Sequence, residues 1–336
     1  MITDVAGVRV GHATDTVGLT GVTAVLVDRP AVCGVELRGG AQSVIGLDFL
    51  TPRHLVPTVD GILLGGGSRF GGEAIYGVMR YLHERGVGFP VGTGVVPHVP
   101  GAFIFDLNVG DARAWPSREM GYEAARSAVT GAVTEGNVGA GTGASVGKVR
   151  GIQCAMRGGL GTASVRVDEI VVGALVVVNA VGDVRDPETG ALVAGTRDAP
   201  TGRRLADSLL LLRSQARLPR FGGGEHTTVG VVATNVTLDR AQAPSVAALG
   251  LLGFARALSP PHTALDGGAL FVLSTGDVRA DVTRVGLAAA DAVAAAIVRA
   301  ARGDVASESA RRPRPRLRRG RADAVRPLLT PATMGA

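Results

Sequence analysis

Residues 221–236 have the sequence FGGGEHTTVGVVATNV, in which three consecutive glycines precede His226, two threonines and an apolar run. The run 227–236 is rich in β-branched residues and has the length of a buried strand, as is typical of central strands in α/β proteins. Glycine-rich backbone before a strand can adopt strained conformations, in which a side chain can attack a neighbouring peptide bond. Taken by itself, the segment is better explained as an ordinary loop that enters a threonine-rich strand.

Strand-like and helix-like segments alternate along the rest of the chain. The predicted strands are TAVLVD at 23–28, VVGALVVVN at 171–179 and ALFVLST at 269–275. The predicted helices cover 73–85, about 117–130, a segment that starts at Ser245 and continues through Arg256, and 285–301. Interleaved strands and helices predict an α/β protein in which helices are layered over central sheets.

We predict that residues 1–301 form a single domain, because no linker divides them. Fifty glycines without a three-residue period exclude a collagen-like chain. Two isolated cysteines suggest neither a disulfide framework nor a metal site, and they favour a reducing, cytoplasmic location. We expect no secretory signal and no membrane span, since the sequence contains no apolar stretch of about 18 residues.

The net charge of +6 belongs to residues 302–336, which hold nine arginines and three acidic residues. Residues 1–301 are electrically balanced. The density of Pro and Arg in RRPRPRLRRGR predicts a disordered tail. A solvated extension is favoured for this tail over binding to nucleic acid or another acidic surface.

Two further segments combine glycine with polar residues. GILLGGGSRFGGEAIYG at 61–77 predicts a strand, a tight turn and a helix, and backbone amides at such a helix start can bind an anion. A nucleotide-binding loop requires Lys followed by Ser or Thr, and this segment has no lysine. We therefore expect the turn, with Gly67 and Ser68, to line a substrate pocket.

The second segment, NVGAGTGASVGKVRG at 137–151, contains Lys148, the only lysine beside 34 arginines. Arginine is effectively never deprotonated, so a retained lysine suggests proton transfer or charge stabilisation, although a surface residue left by chance is the alternative. Asn179, at the end of its predicted strand, either donates to an oxyanion or caps a turn. Asp266, just before a strand, either orients a base or forms the turn. The six histidines form no metal-binding pair such as HExxH.

Across about residues 4–300 the chain resembles the self-cleaving P1 peptidases, which comprise L-aminopeptidase/D-esterases, β-peptidyl aminopeptidases and nylon-oligomer hydrolases. The likeness rests on several motifs in the same order. These are GVRVGHATD near the start, GGGSRFGGEAIYGVMRYLHERGVGFPVG, FIFDL at 103–107, GAGTGASVGK, VVVNAVGDV, EHTTVGVVATNV and HTALDGG.

The resemblance implies a four-layer αββα sandwich similar to N-terminal-nucleophile hydrolases. It also implies self-cleavage between His226 and Thr227, which would give chains 1–226 and 227–336 that assemble as homo-oligomeric pairs. Lys148 and Asn179 match active-site positions, and Asp266 matches an acidic position that supports the nucleophile. No cofactor or metal is expected.

Three positions depart from the relatives. His226 stands where Asn or Gly is frequent, Ala264 where some members have Ser or Asp, and Phe105 where some have a Tyr near the oxyanion. Phe105 is therefore expected at the substrate pocket without the Tyr hydroxyl.

The sequence thus predicts an amide hydrolase of the aminopeptidase type with an N-terminal Thr227 and a small peptide or amide substrate. A Thr-dependent acyltransferase similar in chemistry to ornithine acetyltransferases, and an uncleaved scaffold protein, are the alternatives.

Overall fold

The computed structural model describes residues 1–214 and 226–303, which form sixteen β-strands and six α-helices. The strands are β1 (Val8–Asp15), β2 (Thr20–Gly39), β3 (Val44–Ile45), β4 (Thr58–Gly65), β5 (Phe89–Val91), β6 (Gly94–Val96), β7 (Gly101–Phe103), β8 (Ser145–Val146), β9 (Met156–Arg157), β10 (Gly159–Val167), β11 (Ile170–Val178), β12 (Asp183–Arg185), β13 (Leu192–Ala194), β14 (Val229–Val236), β15 (Leu258–Ser259) and β16 (Gly267–Val278). The helices are α1 (Glu73–His83), α2 (Arg118–Arg126), α3 (Ser208–Ser214), α4 (Gln242–Gly250), α5 (Leu252–Ala257) and α6 (Val282–Arg302).

Nine strands form one mixed sheet in the order β10-β11-β14-β16-β2-β4-β7-β3, with β1 paired to β2. Strand β2 is 20 residues long and takes part in both halves of this sheet. Its first part pairs with β1 and β4, its register shifts between Leu26 and Ala31, and its second part pairs with β16. The exposed residues 28–30 lie at this shift, so one strand joins the two halves.

Three apolar layers separate four layers of secondary structure. Helices α4, α5 and α6 pack on one face of β10, β11, β14 and β16, and α1 and α2 pack on β2, β4 and β7. A central core lies between the two halves of the sheet. Strand β11 contributes to two of these apolar layers. Val172 and Val176 face α6, whereas Leu175 and Val177 face the central core. A strand buried on both faces is apolar at every position. The expected αββα sandwich is confirmed.

Glycine allows helices to approach closely in this low-aromatic core. At the crossing of α1 and α2, a Cβ on Gly77 would lie 1.8 Å from the Arg118 carbonyl oxygen. A Cβ on Gly121 would lie 1.9 Å from the Ala74 oxygen. Any larger residue at either position would force these helices apart, because packed cores leave no room for such a shift.

The predicted elements are present, but several of their bounds were wrong. The strand predicted at 23–28 lies within the first half of the longer β2, and the helix predicted over 117–130 ends at Arg126. The helix predicted to start at Ser245 starts instead at Gln242, with Pro244 in its first turn, where a missing N–H costs nothing. It is also interrupted at Leu251, so α4 and α5 are separate.

Two sequence predictions concern residues outside the described part of the chain. These are the glycine-rich approach at 221–225 and almost all of the predicted tail at 302–336. Within the described part, no helix combines the length and apolarity that crossing a membrane demands.

Candidate active site

The peptide bond between His226 and Thr227 lies just before β14 and is held from both sides. The His226 carbonyl oxygen accepts a hydrogen bond from the Gly267 N–H at 2.7 Å. The Thr227 N–H donates to the Asn179 carbonyl oxygen at 3.0 Å. Thr227 is only 2% exposed, yet it lines a cavity of about 250 Å³. The bond is therefore fixed in orientation beside an opening that can admit a small molecule.

Sheet topology brings the predicted residues to this point. Strand β14 is antiparallel to β11 and parallel to β16. The end of β11 and the start of β16 consequently lie beside the start of β14. Asn179 directly follows β11 and Asp266 directly precedes β16, so both flank Thr227. His226 and Asp266 also form an isolated parallel bridge.

Lys148 joins the same cluster and is buried, with 6% exposure. Its Nζ donates to the Asn179 side-chain oxygen at 2.7 Å and to the Asn179 carbonyl oxygen at 3.1 Å. The Thr227 N–H donates to that same carbonyl oxygen. The ammonium of Lys148 and the backbone nitrogen of Thr227 are therefore close neighbours, and a surface location for Lys148 is excluded.

The Asn179 side chain is fully buried and has partners at both ends of its amide. Its Oδ1 accepts from Lys148 and from the N–H and hydroxyl of Ser145, and its Nδ2 donates to the Phe105 carbonyl oxygen at 2.9 Å. One N–H of the Asn179 amide is thus bonded to Phe105, and the second N–H is the one that can donate to an oxyanion. The sequence reasoning did not single out Ser145, although it lies in the GAGTGASVGK motif.

Asp266 forms the turn that precedes β16. Its Oδ2 accepts from the Thr263 N–H at 3.0 Å and from the Thr263 hydroxyl at 2.7 Å, and its Oδ1 accepts from the Val181 N–H at 3.3 Å. Burial raises the pKa of this carboxyl, while the hydrogen bonds from Thr263 and Val181 and, to a smaller extent, the charge of Lys148 oppose the rise. The sequence left two roles open for Asp266, and these contacts show that it stabilises the turn before β16. This turn places the Gly267 N–H against the His226 carbonyl oxygen.

His226 contributes an uncharged ring. Burial, assisted by the charge of Lys148, lowers the pKa of His226 to about 2, so the imidazole is neutral at physiological pH. Its Nδ1 is buried and has no hydrogen-bond partner among the described residues.

The cavity wall includes two of the three predicted pocket residues. Ser68 and Phe105 line it, together with Gly40, Ala41, Gln42, Ser43, Arg69 and Thr227. Gly67 is not part of this lining, because its N–H turns away to the Asp106 carboxylate at 2.6 Å. Gly67 and Ser68 both have a left-handed backbone, with φ of 75° and 52°. The sequence reasoning missed the segment 40–43 and Arg69, since no periodicity or motif set them apart.

Asp106 is a second residue that sequence reasoning left unassigned. It is buried behind the cavity wall and accepts from the Gly67 N–H and the Thr20 hydroxyl, the latter at 2.8 Å. Burial raises the pKa of Asp106 to about 6, against the hydrogen bonds from Gly67 and Thr20 and the charge of Lys148. Asp106 therefore positions the left-handed turn at Gly67 and Ser68.

Asp106→Asn is expected to change how stability depends on pH. Because the pKa of Asp106 is higher in the folded state than its ordinary value of 3.8, the folded protein gains stability as the proton binds and loses it as pH rises through about 6. Between pH 4.5 and 7.5 this loss is about 2 kcal/mol. The comparison is the free energy of urea unfolding of the parent and Asp106→Asn at both pH values. An identical pH dependence in the two proteins would contradict the raised pKa.

Residues 1–214 and 226–303 contain no group of three or more His, Cys, Asp or Glu side chains arranged to hold a metal ion.

Comparison with known proteins relates most of the chain to one family. The profile of peptidase family S58 matches residues 1–308. An uncharacterized aminopeptidase of Mycobacterium leprae is 39% identical over 335 residues, covering 88% of each chain. A 6-aminohexanoate-oligomer endohydrolase of Kocuria sp. is 32% identical over 277 residues, covering 82% of this chain and 75% of the relative.

A solved structure supports the fold assignment. The L-aminopeptidase D-Ala-esterase/amidase of Ochrobactrum anthropi, described as a variant of the Ntn hydrolase fold, superposes with a TM-score of 0.66. The match covers 88% of this chain and 84% of that one at 20% identity. The long match to the family profile, with relatives above 30% identity, decides the classification. The chain belongs to peptidase family S58.

Proposed function

We propose that this S58 peptidase, a hydrolase of peptide or other amide bonds, activates itself by cleaving the bond between His226 and Thr227 and then uses Thr227 as an N-terminal nucleophile. The observation that carries the proposal is the pair of hydrogen bonds that clamps this peptide, Gly267 N–H to the His226 oxygen and Thr227 N–H to the Asn179 oxygen. The cavity beside Thr227 gives the same residue access to a substrate.

Self-cleavage begins when the Thr227 hydroxyl oxygen bonds to the His226 carbonyl carbon. The C–N bond then breaks, and the nitrogen takes up the hydroxyl proton and leaves as an amine. Water hydrolyses the resulting ester and yields a His226 carboxylate and a free Thr227 hydroxyl. Negative charge develops on the His226 oxygen during the attack, where the Gly267 N–H already donates at 2.7 Å. Loss of one such donor typically costs about 3–4 kcal/mol of transition-state stabilisation.

The freed amine of Thr227 then serves as the base. An α-amino group has a reference pKa of about 7.7–8.0, and a neighbouring positive charge lowers it further by disfavouring protonation. Lys148 supplies such a charge, because its Nζ and the Thr227 nitrogen share the Asn179 oxygen. The amine can accept the proton of its own hydroxyl, so nucleophile and base reside in one residue.

Turnover follows the same chemistry on the substrate. The Thr227 oxygen attacks the substrate carbonyl carbon, the amine portion departs with a proton, and water hydrolyses the acyl ester. Lys148 and the second N–H of Asn179 are the groups suited to stabilise the tetrahedral oxyanion. A cavity of about 250 Å³ favours short peptides or linear amides over folded proteins. The names of the relatives, aminopeptidase and oligomer hydrolase, agree with this substrate class.

The two fragments are expected to remain together after cleavage. Strand β14, from the fragment 227–336, pairs with β11 from 1–226, and β16 from the second fragment pairs with β2 from the first. Two strand pairs of the large sheet therefore join one fragment to the other by backbone hydrogen bonds. Homo-oligomerisation, a cytoplasmic location and a solvated tail stay predictions of the sequence.

N-terminal sequencing tests the cleavage site directly. After incubation at neutral pH, the purified protein should give two bands on a denaturing gel, and the smaller fragment should begin Thr-Thr-Val-Gly. The fragments should elute together on a sizing column under native conditions. A single full-length mass after prolonged incubation would overturn the proposal.

A further inference from the structure

We infer that the cavity beside Thr227 contains a carboxylate-binding subsite formed by Arg69 and Ser43, so that preferred substrates are short amides with a carboxylate close to the scissile bond. This inference rests on the proposed function, since Thr227 makes the cavity the place of reaction.

Arg69 is the one charged side chain in the cavity lining formed by the described residues. Its Nη1 donates to the Val44 carbonyl oxygen at 2.7 Å, which anchors the guanidinium at the cavity wall. A guanidinium has five N–H donors, and this bond leaves the others available. Their planar arrangement matches the two oxygens of a carboxylate.

Ser43 supplies a hydroxyl that lacks a partner. The residue is 9% exposed and lines the same cavity, and its Oγ has no hydrogen-bond partner among the described residues. Its carbonyl oxygen accepts from the Phe103 N–H at 2.9 Å, which fixes the backbone. Ser43 immediately precedes Val44, the residue that anchors Arg69. A buried hydroxyl without a partner is costly, and rotation of this buried side chain toward the cavity would let an acceptor on a ligand satisfy it.

The charge around the cavity favours an anionic ligand. The lining contains no carboxylate among the described residues, and the nearby Asp106 directs both oxygens to Gly67 and Thr20. Lys148, which donates to the Asn179 side-chain oxygen, adds positive charge. A substrate ammonium placed beside Arg69 would be repelled, whereas a carboxylate would pair with it. The carboxylate can be the free C-terminus of a dipeptide or belong to the acyl group of a dicarboxylic acid monoamide.

Two matched substrate pairs separate these sources. The first pair is alanyl-alanine and alanyl-alanine amide, which differ on the leaving-group side. The second pair is succinyl mono-p-nitroanilide and butyryl p-nitroanilide, which differ on the acyl side. For at least one pair we expect the processed enzyme to have a kcat/KM about tenfold or more higher for the substrate that carries the carboxylate. This factor corresponds to the free energy that a hydrogen bond to a charged group typically contributes.

Arg69→Gln should reduce that preference to within about twofold, and Ser43→Ala should reduce it partially. The matched control is Arg113→Gln, which removes an arginine that is 90% exposed and pairs with Asp111 outside the lining. All three variants should self-cleave as the parent does. A readout that needs no turnover is the melting temperature, which N-acetylglycine should raise more than its amide at equal ionic strength in the parent but not in Arg69→Gln.

The outcomes separate this inference from the proposed function. A processed, active parent that treats both members of each pair alike, or an Arg69→Gln variant that keeps the preference, would overturn the carboxylate subsite alone. A parent that never cleaves would overturn the proposed function. If N-acetylglycine and its amide then shifted the melting temperature equally, the subsite would fall as well.

Discussion

Thr227→Val is expected to yield an uncleaved chain whose amide hydrolysis is at least about 10⁴-fold slower than the parent's, as when a nucleophile is removed from other hydrolases. Valine keeps the shape and the β-branch but has no hydroxyl, so the strand at 229–236 should form as before. The measurements are intact mass after incubation at neutral pH and hydrolysis per folded molecule. Hydrolysis at the parental rate by an uncleaved chain would remove Thr227 from the mechanism.

Two variants make the Thr227 experiment specific. Thr228→Val changes the adjacent threonine, which is equally buried at 3% exposure and whose hydroxyl has no hydrogen-bond partner among the described residues. Its cleavage and hydrolysis should match the parent, because no bonded hydroxyl is lost. Thr227→Ser keeps a hydroxyl and should retain self-cleavage. Failure of Thr228→Val to cleave would point to a packing effect in place of a nucleophile.

Lys148→Arg is expected to fold normally but to lose about a hundredfold in hydrolysis and to self-cleave more slowly. The Lys148 ammonium is buried and within hydrogen-bond distance of two oxygens of Asn179, which is itself fully buried. A longer, planar guanidinium cannot occupy the same position, and a displacement near 1 Å can cost about a hundredfold in rate. Activity per folded molecule and self-cleavage are followed in the same samples.

The control for Lys148→Arg is Arg150→Lys, a cation exchange two residues away. Arg150 is exposed and donates to the Asp198 carbonyl oxygen. Surface substitutions of this kind usually change stability by no more than about 0.5 kcal/mol, so activity should be unchanged. Activity of Lys148→Arg within a factor of two of the parent, with normal processing, would mean that any buried cation serves here.

The local pattern of apolar residues was sufficient to predict the strands and helices that the structure confirms. The continuous apolar run of β11 predicts a strand buried on both faces, and the spacing of Ile75 and Leu82 predicts α1. Boundaries were less predictable, as Pro244 inside α4 shows, because a proline in the first turn is compatible with a helix. The length of β2 was also missed, since it depends on pairing with two different partners.

Residue identity favoured a functional role for Lys148, the only lysine in the sequence, but left the roles of Thr227, Asn179 and Asp266 open until the resemblance to the self-cleaving peptidases assigned them. Their meeting is a tertiary property. It requires β14 to pair antiparallel with β11 and parallel with β16, which are ladders between segments far apart in the chain. Ser43 and Arg69 reach the same cavity from the opposite end of the sequence. Local propensity determines the period of each element, whereas strand order and burial arise from contacts between distant residues, so only the folded chain reveals the complete site.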